Sequence, residues 1–240
     1  MQKNIVITGG TGRFGLILKK IKTKHRLFFP NKKTLNILNQ KSIENYVKKN
    51  KADIMIHLAG LSRPMSVHDK DIVKSIDLNI IGTANVTKAC SNNNVKLIYF
   101  STNYVYPGTK GDYSESDALL PVNNYAWSKL GGETSVQLYK NSLILRVCMT
   151  EKPFVHDKAF ANVKTSFMYH DEVAKILFKL INQKGVLNLG GEARYIYDFA
   201  KKDKKNLKKI FLRKQDKIGM PFNSSINLRK LKKIIKKNKI

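Results

Sequence analysis

NIVITGGTGRFGLILKKI, residues 4 to 21, is the stretch from which the fold is read. Asn4 to Thr8 is short and β-branched, as a buried strand requires. It runs straight into Gly9-Gly10-Thr11-Gly12-Arg13-Phe14-Gly15, and the apolar-periodic LILKKI follows as a helix. Strand, glycine turn and helix in that order make a dinucleotide-binding start. Glycines at 9, 12 and 15 let the backbone turn sharply, approach a pyrophosphate without a Cβ in the way, and pack helix on strand. The helix amino terminus then faces the phosphates. Gly9, Thr11, Gly12, Arg13, Phe14 and Gly15 are therefore candidate cofactor-binding residues, the alternative being a purely structural glycine turn.

Outward from there, strand and helix patterns alternate. Arg26 to Phe29 reads as a second strand, Ser42 to Lys49 as a helix with Ser42 a possible cap, and Asp53 to Leu58 as a third strand ending in Ala59-Gly60. Small residues at 59 and 60 allow a cofactor to lie against that strand end. Asp71 to Cys90 is a long helix whose inward face is Ile72, Ile76, Asn79, Ile80, Thr83, Val86 and Ala89. Asn79 is the polar exception: it either ties the helix to a neighbouring strand or is exposed or bonded within its own helix. Further strands are expected at Leu97 to Phe100, Ser142 to Val147 and Gly185 to Leu189, and further helices at Asn124 to Tyr139 and Glu172 to Ile181. This alternation implies an α/β, doubly wound parallel sheet of Rossmann type with right-handed crossovers. Residues 1–150 plus 166–191 are assigned to a cofactor-binding domain, and 151–165 plus 192–240 to a small substrate lobe. The stripe Ile226, Leu228, Leu231, Ile234 and Ile235 reads as a packing face.

The chemistry concentrates in LIYFSTNYVYPGTKGDYSESDALLPVNNYAWSKLGGE, residues 97 to 133. The apolar run ends at Ser101 and Thr102, whose hydroxyls lie at the carboxyl end of a strand, where open α/β sheets bind ligands. Tyr125 and Lys129 are four apart on the following helix and share one face. An ammonium beside a phenol favours the phenolate, so such a Tyr exchanges protons at a pH where an isolated one does not. A hydroxyl, a phenol and an ammonium at one sheet edge make a proton-transfer site.

The chain has 240 residues and 42% hydrophobic residues, enough for a substantial core. No apolar run reaches membrane-spanning length and the amino terminus begins directly with a strand, so neither a membrane span nor a signal peptide is expected and a cytoplasmic location fits. Cys90 and Cys148 follow helix and strand patterns and are read as reduced and buried, with no metal site. The formal net charge is +28. Residues 201 to 240 hold fourteen Lys and two Arg against Asp203 and Asp216, half of that excess. Such charge attracts nucleic acid, anionic lipid or a diphosphate ligand, or is a solvated face of a Lys-, Asn- and Ile-rich composition. The absence of a base-stacking pattern and of any recognised motif argues against a specific nucleic-acid partner. After the second strand come Pro30, Asn31, Lys32 and Lys33 where an acidic residue would select NAD. That pattern favours NADP, with NAD as the alternative.

Taken together, TGGTGRFG, LAG, DLNIIGT, STNYVYPG and YAWSK resemble the extended short-chain dehydrogenase/reductase superfamily, and within it the dTDP-4-dehydrorhamnose reductase (RmlD-like) family. The likeness includes Tyr113-Ser114-Glu115-Ser116-Asp117, Pro121-Val122-Asn123-Asn124-Tyr125 and Ser128-Lys129-Leu130-Gly131-Gly132-Glu133. It continues through LILRV, YHDEVAKI, GVLNLGG and MPFNSSINLRKL. The resemblance implies a nucleotide-sugar 4-ketoreductase of surface polysaccharide synthesis. In it Thr102 bonds the substrate carbonyl, Tyr125 gives a proton, and Lys129 lowers the Tyr pKa and holds the nicotinamide ribose. Ala59, Gly60, Asn79, Tyr125 and Lys129 join the cofactor residues, and Thr102, Asn103, Tyr104 and Met149 face the substrate.

Ser101 is the alternative hydroxyl. The family's acidic residue after the catalytic Thr is Asn103 here, and the segment after the LILRV strand is Val147-Cys148-Met149, which leaves the particular sugar open. Related epimerase/reductases place a Cys shortly after the catalytic hydroxyl, where this chain has Asn103, Tyr104 and Val105, so reduction alone is favoured over epimerisation. His170 is assigned to a helix start, and His156 to a loop. A homodimer is compatible with the family. The resemblance extends to the regulatory β subunit of methionine adenosyltransferase, which makes a non-catalytic cofactor-binding subunit the second reading.

Overall fold

The computed structural model describes residues 1–216 and 219–237. Six strands form the central parallel sheet: β1 (Asn4–Thr8), β2 (Arg26–Phe28), β3 (Ile54–His57), β4 (Lys96–Thr102), β5 (Ser142–Val147) and β6 (Gly185–Leu189). Their order is β6-β5-β4-β3-β1-β2. Val6 lies opposite Phe28 on one side and Met55 on the other. The order reverses at β1, and the carboxyl ends of β1 and β3 therefore flank a topological switch point. The doubly wound sheet expected from sequence is present.

The strands are apolar because both faces are covered. Val6, Met55, Leu97, Tyr99 and Ile144 are essentially fully buried and pack with Val86, Ala89, Cys90 and Val136 from the helices. Each of the Val, Leu, Ile and Met side chains among them contributes roughly 1.5–3 kcal/mol of transfer free energy. Ile43 and Val47 of α2 (Gln40–Lys49) join the same cluster. The cap of α2 is Asn39, whose side chain accepts from Ser42 N–H; Ser42 instead accepts from Asn36 N–H with its hydroxyl. The helix therefore starts two residues earlier than expected, because Asn39 caps it at the Ser42 amide and the Ser42 hydroxyl is turned to Asn36 instead.

The long helix expected over 71–90 is built in three pieces. Asp71 caps α3 (Ile72–Ile76), a π-helical turn follows over Asp77–Ile81, and α4 (Gly82–Asn92) completes it. The wider turn changes the helical phase. In consequence Asn79, Thr83, Val86 and Ala89 are buried as expected, while Ile72 and Ile76, assigned to the same inward stripe, are exposed.

The chain divides into two compact units. The first comprises 1–101, 127–145 and 181–186, and the second 102–126, 146–180 and 187–240. These limits differ from the sequence-based division, because the carboxyl ends of β5 and β6 bond to the segment after β4. Arg146 Nη1 donates to the Tyr106 hydroxyl (2.9 Å) and to Glu115 C=O (3.1 Å). The Tyr106 hydroxyl donates to Asn188 Oδ1 (2.9 Å), whose Nδ2 donates to Tyr113 C=O (2.8 Å). Tyr106 and Tyr113 stack at 5.0 Å. The second unit also has its own apolar cluster of Phe154, Ala159, Val163, Ile196, Ala200, Leu207 and Leu212. Its last helix, Arg229–Lys237, buries Leu231, with Ile234 and Ile235 half-buried, so the apolar stripe is a packing face. Cys90 and Cys148 are buried free thiols. Among the described residues no helix is long and apolar enough to cross a membrane.

Candidate active site

The glycine turn opens where β1 ends. Gly9 has φ +70°, a conformation that L side chains rarely adopt, and a Cβ there would lie 2.6 Å from Ala59 N. Gly12 N–H donates to Gly9 C=O (2.9 Å), closing the turn, and Gly12 begins α1 (Arg13–Leu18) without a side-chain cap. Gly15 backs onto Gly9 and Gly10. A dinucleotide phosphate fits this bare backbone cradle at a helix amino terminus. Thr11 and Arg13 are exposed, and Arg13 Nη2 donates to Ser62 Oγ (3.3 Å). Phe14 is different: its side chain is buried against Phe100 at 5.3 Å, so only its backbone faces the turn.

His57, at the end of β3, was not singled out from the sequence, yet it joins the parts. Thr83 Oγ1 donates to Asn79 C=O (2.8 Å), so toward His57 Nε2 (3.2 Å) it can only accept. Nε2 therefore carries the proton. Nδ1 then accepts from Thr8 Oγ1 (2.8 Å), which itself accepts from Ala59 N–H (3.3 Å). Burial, and secondarily the Lys129 charge, pushes the imidazole down to about 3. His57 is thus a neutral link from the glycine-turn strand to the π-helical turn. The signal was a His inside an otherwise apolar strand, IMIHLAG.

Asn79 lies in that π-helical turn, and its side-chain amide is committed to the protein. Oδ1 accepts from Leu61 N–H (2.7 Å), and Nδ2 donates to Leu61 C=O (2.9 Å) and to Ser128 Oγ (2.8 Å). Asn79 accordingly fastens the loop after β3 and the helix α5 (Asn124–Gln137), not β4. Gly132 makes this approach possible, since a Cβ there would sit 2.3 Å from Asn79 C=O.

Lys129 is buried on α5. Its ammonium lies 4.2 Å from the centroid of the Tyr99 ring, and the Tyr99 hydroxyl donates to Lys129 C=O (2.9 Å). Burial lowers Lys129 to about 7, and Glu133 one turn further on opposes that shift. Glu133 is buried and accepts from Ser101 Oγ at 2.5 Å. Ser101, the alternative catalytic hydroxyl, thus spends its proton on Glu133.

Thr102 and Tyr125 belong to the second unit. Thr102 ends β4, and its Oγ1 accepts from Tyr104 N–H (3.3 Å), which leaves its proton uncommitted by that bond. Tyr125 is the second residue of α5, and Asn123 caps that helix by accepting from Ala126 N–H (2.8 Å). The Pro-Val-Asn-Asn-Tyr segment thereby sets the phase in which Tyr125 and Lys129 stand one turn apart. Asn103, expected at the substrate, is buried and donates to Ser224 C=O (3.0 Å), a structural bond. The Tyr104 hydroxyl donates to Met220 Sδ (3.6 Å), and half-buried Met149 pairs with Met168. His170 starts the helix His170–Leu180, and His156 lies in an exposed loop, its ring 5.4 Å from Phe154.

Residues 3–157 match the RmlD substrate binding domain family. The β subunit of methionine adenosyltransferase 2 from Xenopus laevis is 30% identical over 155 residues, covering 60% of this chain and 46% of that protein. The chain thus spans about half the length of the curated relatives it matches. Among solved structures, dTDP-4-dehydrorhamnose reductase from Bacillus anthracis in complex with NADP superposes with a TM-score of 0.83 at 24% identity, covering 97% of this chain and 93% of that one. WbmG of Bordetella bronchiseptica in complex with NAD gives a TM-score of 0.73 at 18% identity, covering 94% and 84%.

Proposed function

Since the chain belongs to the RmlD substrate binding domain family, within the extended short-chain dehydrogenases/reductases, we propose that it is an NADPH-dependent reductase of a nucleotide-linked 4-keto-6-deoxy sugar. The observation that carries this reading is Lys129: a buried ammonium, held over an aromatic ring, one helical turn after a tyrosine. Burying a charge is costly and is retained where the charge does chemistry.

The bound nicotinamide supplies a hydride to the sugar carbonyl carbon. Tyr125 gives its proton to the oxygen as negative charge develops there, and the hydroxyl of Thr102 donates a hydrogen bond to the same oxygen. Lys129 stabilises the phenolate left on Tyr125 and bonds the nicotinamide ribose. Gly9, Gly12 and Gly15 cradle the pyrophosphate beside Ala59 and Gly60. Arg13, Lys32 and Lys33 take a 2′-phosphate, and Asn31, in the turn after β2, is neutral: its Oδ1 accepts from the Lys33 and Thr34 amides. NADP is therefore the preferred cofactor. With Asn103, Tyr104 and Val105, and no Cys, directly after Thr102, the product is the reduced sugar without epimerisation.

The test is a panel of dTDP-, UDP- and GDP-4-keto-6-deoxy sugars with NADPH, followed at the nicotinamide absorbance band. Turnover of at least one supports the proposal. Tight NADPH binding with no turnover on any would move the protein to the second reading, a cofactor-binding regulatory subunit, which the 30% identity to the methionine adenosyltransferase β subunit favours.

A further inference from the structure

We propose that Glu133 is the positioning residue for Lys129: a buried carboxylate, fixed by Ser101 at the end of β4, whose negative charge keeps the Lys129 ammonium protonated over the Tyr99 ring. Three observations in the first unit carry it. Lys129 and Glu133 lie one turn apart on α5, and both are buried, at 9% and 1% exposure. Glu133 is held in place, accepting from Ser101 Oγ at 2.5 Å. Lys129 is held from the other side, its ammonium 4.2 Å from the Tyr99 ring centroid and its carbonyl bonded by the Tyr99 hydroxyl.

A buried ammonium loses its hydration and must be compensated or it deprotonates. Among the described residues, the groups near Lys129 that carry or take charge include His57 of β3, His68 of the short helix Val67–Lys70, Tyr99 of β4, and Tyr125 and Glu133 one turn to either side on its own helix, the Tyr125 phenol being neutral until it gives up its proton. Of these His57 is held neutral by burial, and any charge on His68 would oppose that of Lys129. Glu133 supplies the negative charge. It also explains why Ser precedes Thr102: Ser101 orients the counter-charge and Thr102 remains for the carbonyl.

The catalytic consequence rests on the proposed reductase reading, but the charge state of Lys129 does not, so it is measured without turnover. Protein labelled with [ε-13C]lysine is titrated by NMR, the Lys129 resonance being assigned by its loss in Lys129→Arg. In Glu133→Gln the Lys129 midpoint falls by about one pH unit or more, a tenfold change in the ionisation constant. Ser101→Ala, which leaves the carboxylate less firmly placed, lowers it by a smaller step. An unmoved midpoint in folded Glu133→Gln overturns the proposal. Should that variant fail to fold, an unmoved midpoint in Ser101→Ala overturns it equally. A shifted titration with no turnover on any sugar would remove the reductase reading and leave this assignment standing.

Discussion

Acid should weaken this fold through His57, and the size of the effect follows from its burial. The imidazole lies at about 3 in the folded protein and at about 6.5 in an unfolded chain. Because the folded value is depressed, the unfolded chain binds more protons between these limits. Stability then rises with pH, so the contribution is fully present above about 6.5 and is lost as pH falls toward 3. Integrating the linkage relation from pH 7 to pH 5 gives a loss of about 2 kcal/mol from this one group. Urea denaturation of wild type and His57→Gln at pH 7, 6 and 5 isolates it. The variant starts less stable, having disturbed the Thr8 and Thr83 bonds, but its decline to pH 5 is shallower by about 2 kcal/mol. His25 and His68, also lowered by burial, are common to both proteins and cancel in the difference. Parallel pH profiles would refute the assignment of His57 as a buried neutral link.

Other outcomes are equally specific. Gly132→Ala presses a methyl against the Asn79 carbonyl and costs about 1–3 kcal/mol in urea titration, whereas Gly131→Ala meets the Cδ1 and Cγ1 of Ile80, a side chain that can shift where backbone cannot, and costs less. Tyr125→Phe lowers turnover of the 4-keto sugar by about 10²–10⁴ while NADPH affinity, followed by nicotinamide fluorescence, stays within about twofold. Replacing Lys32 and Lys33 together by Ala raises KM for NADPH and leaves KM for NADH unchanged; equal effects on both cofactors would remove the 2′-phosphate assignment.

Much of the fold was legible because short-range rules decide it. The limits of β1, β5 and β6 follow from apolar runs bounded by Gly, Asn and Ser, and the start of α5 from Asn123 and Asn124. The π-helical turn was not legible, since DLNII keeps an ordinary helical periodicity and the partners of Asn79 within that turn, Leu61, Ser128 and Gly132, are distant in sequence. For the site, the glycine turn and the Tyr125–Lys129 spacing are local features and were readable. The residues behind them were not: His57 meets Thr8 and Thr83, and Ser101 meets Glu133, only across strands and helices. The bonds of Asn103 to Ser224 and of Tyr104 to Met220 were not legible for the same reason, because those partners lie over a hundred residues away in sequence.

The central claim is ketone reduction at the sugar C4, and the transfer of deuterium tests it most directly. With NADPH deuterated at the transferable position of the nicotinamide and a nucleotide-linked 4-keto-6-deoxy sugar, NMR of the product is predicted to show one deuterium at C4. A product without deuterium at C4, or unchanged sugar beside bound cofactor, would contradict it.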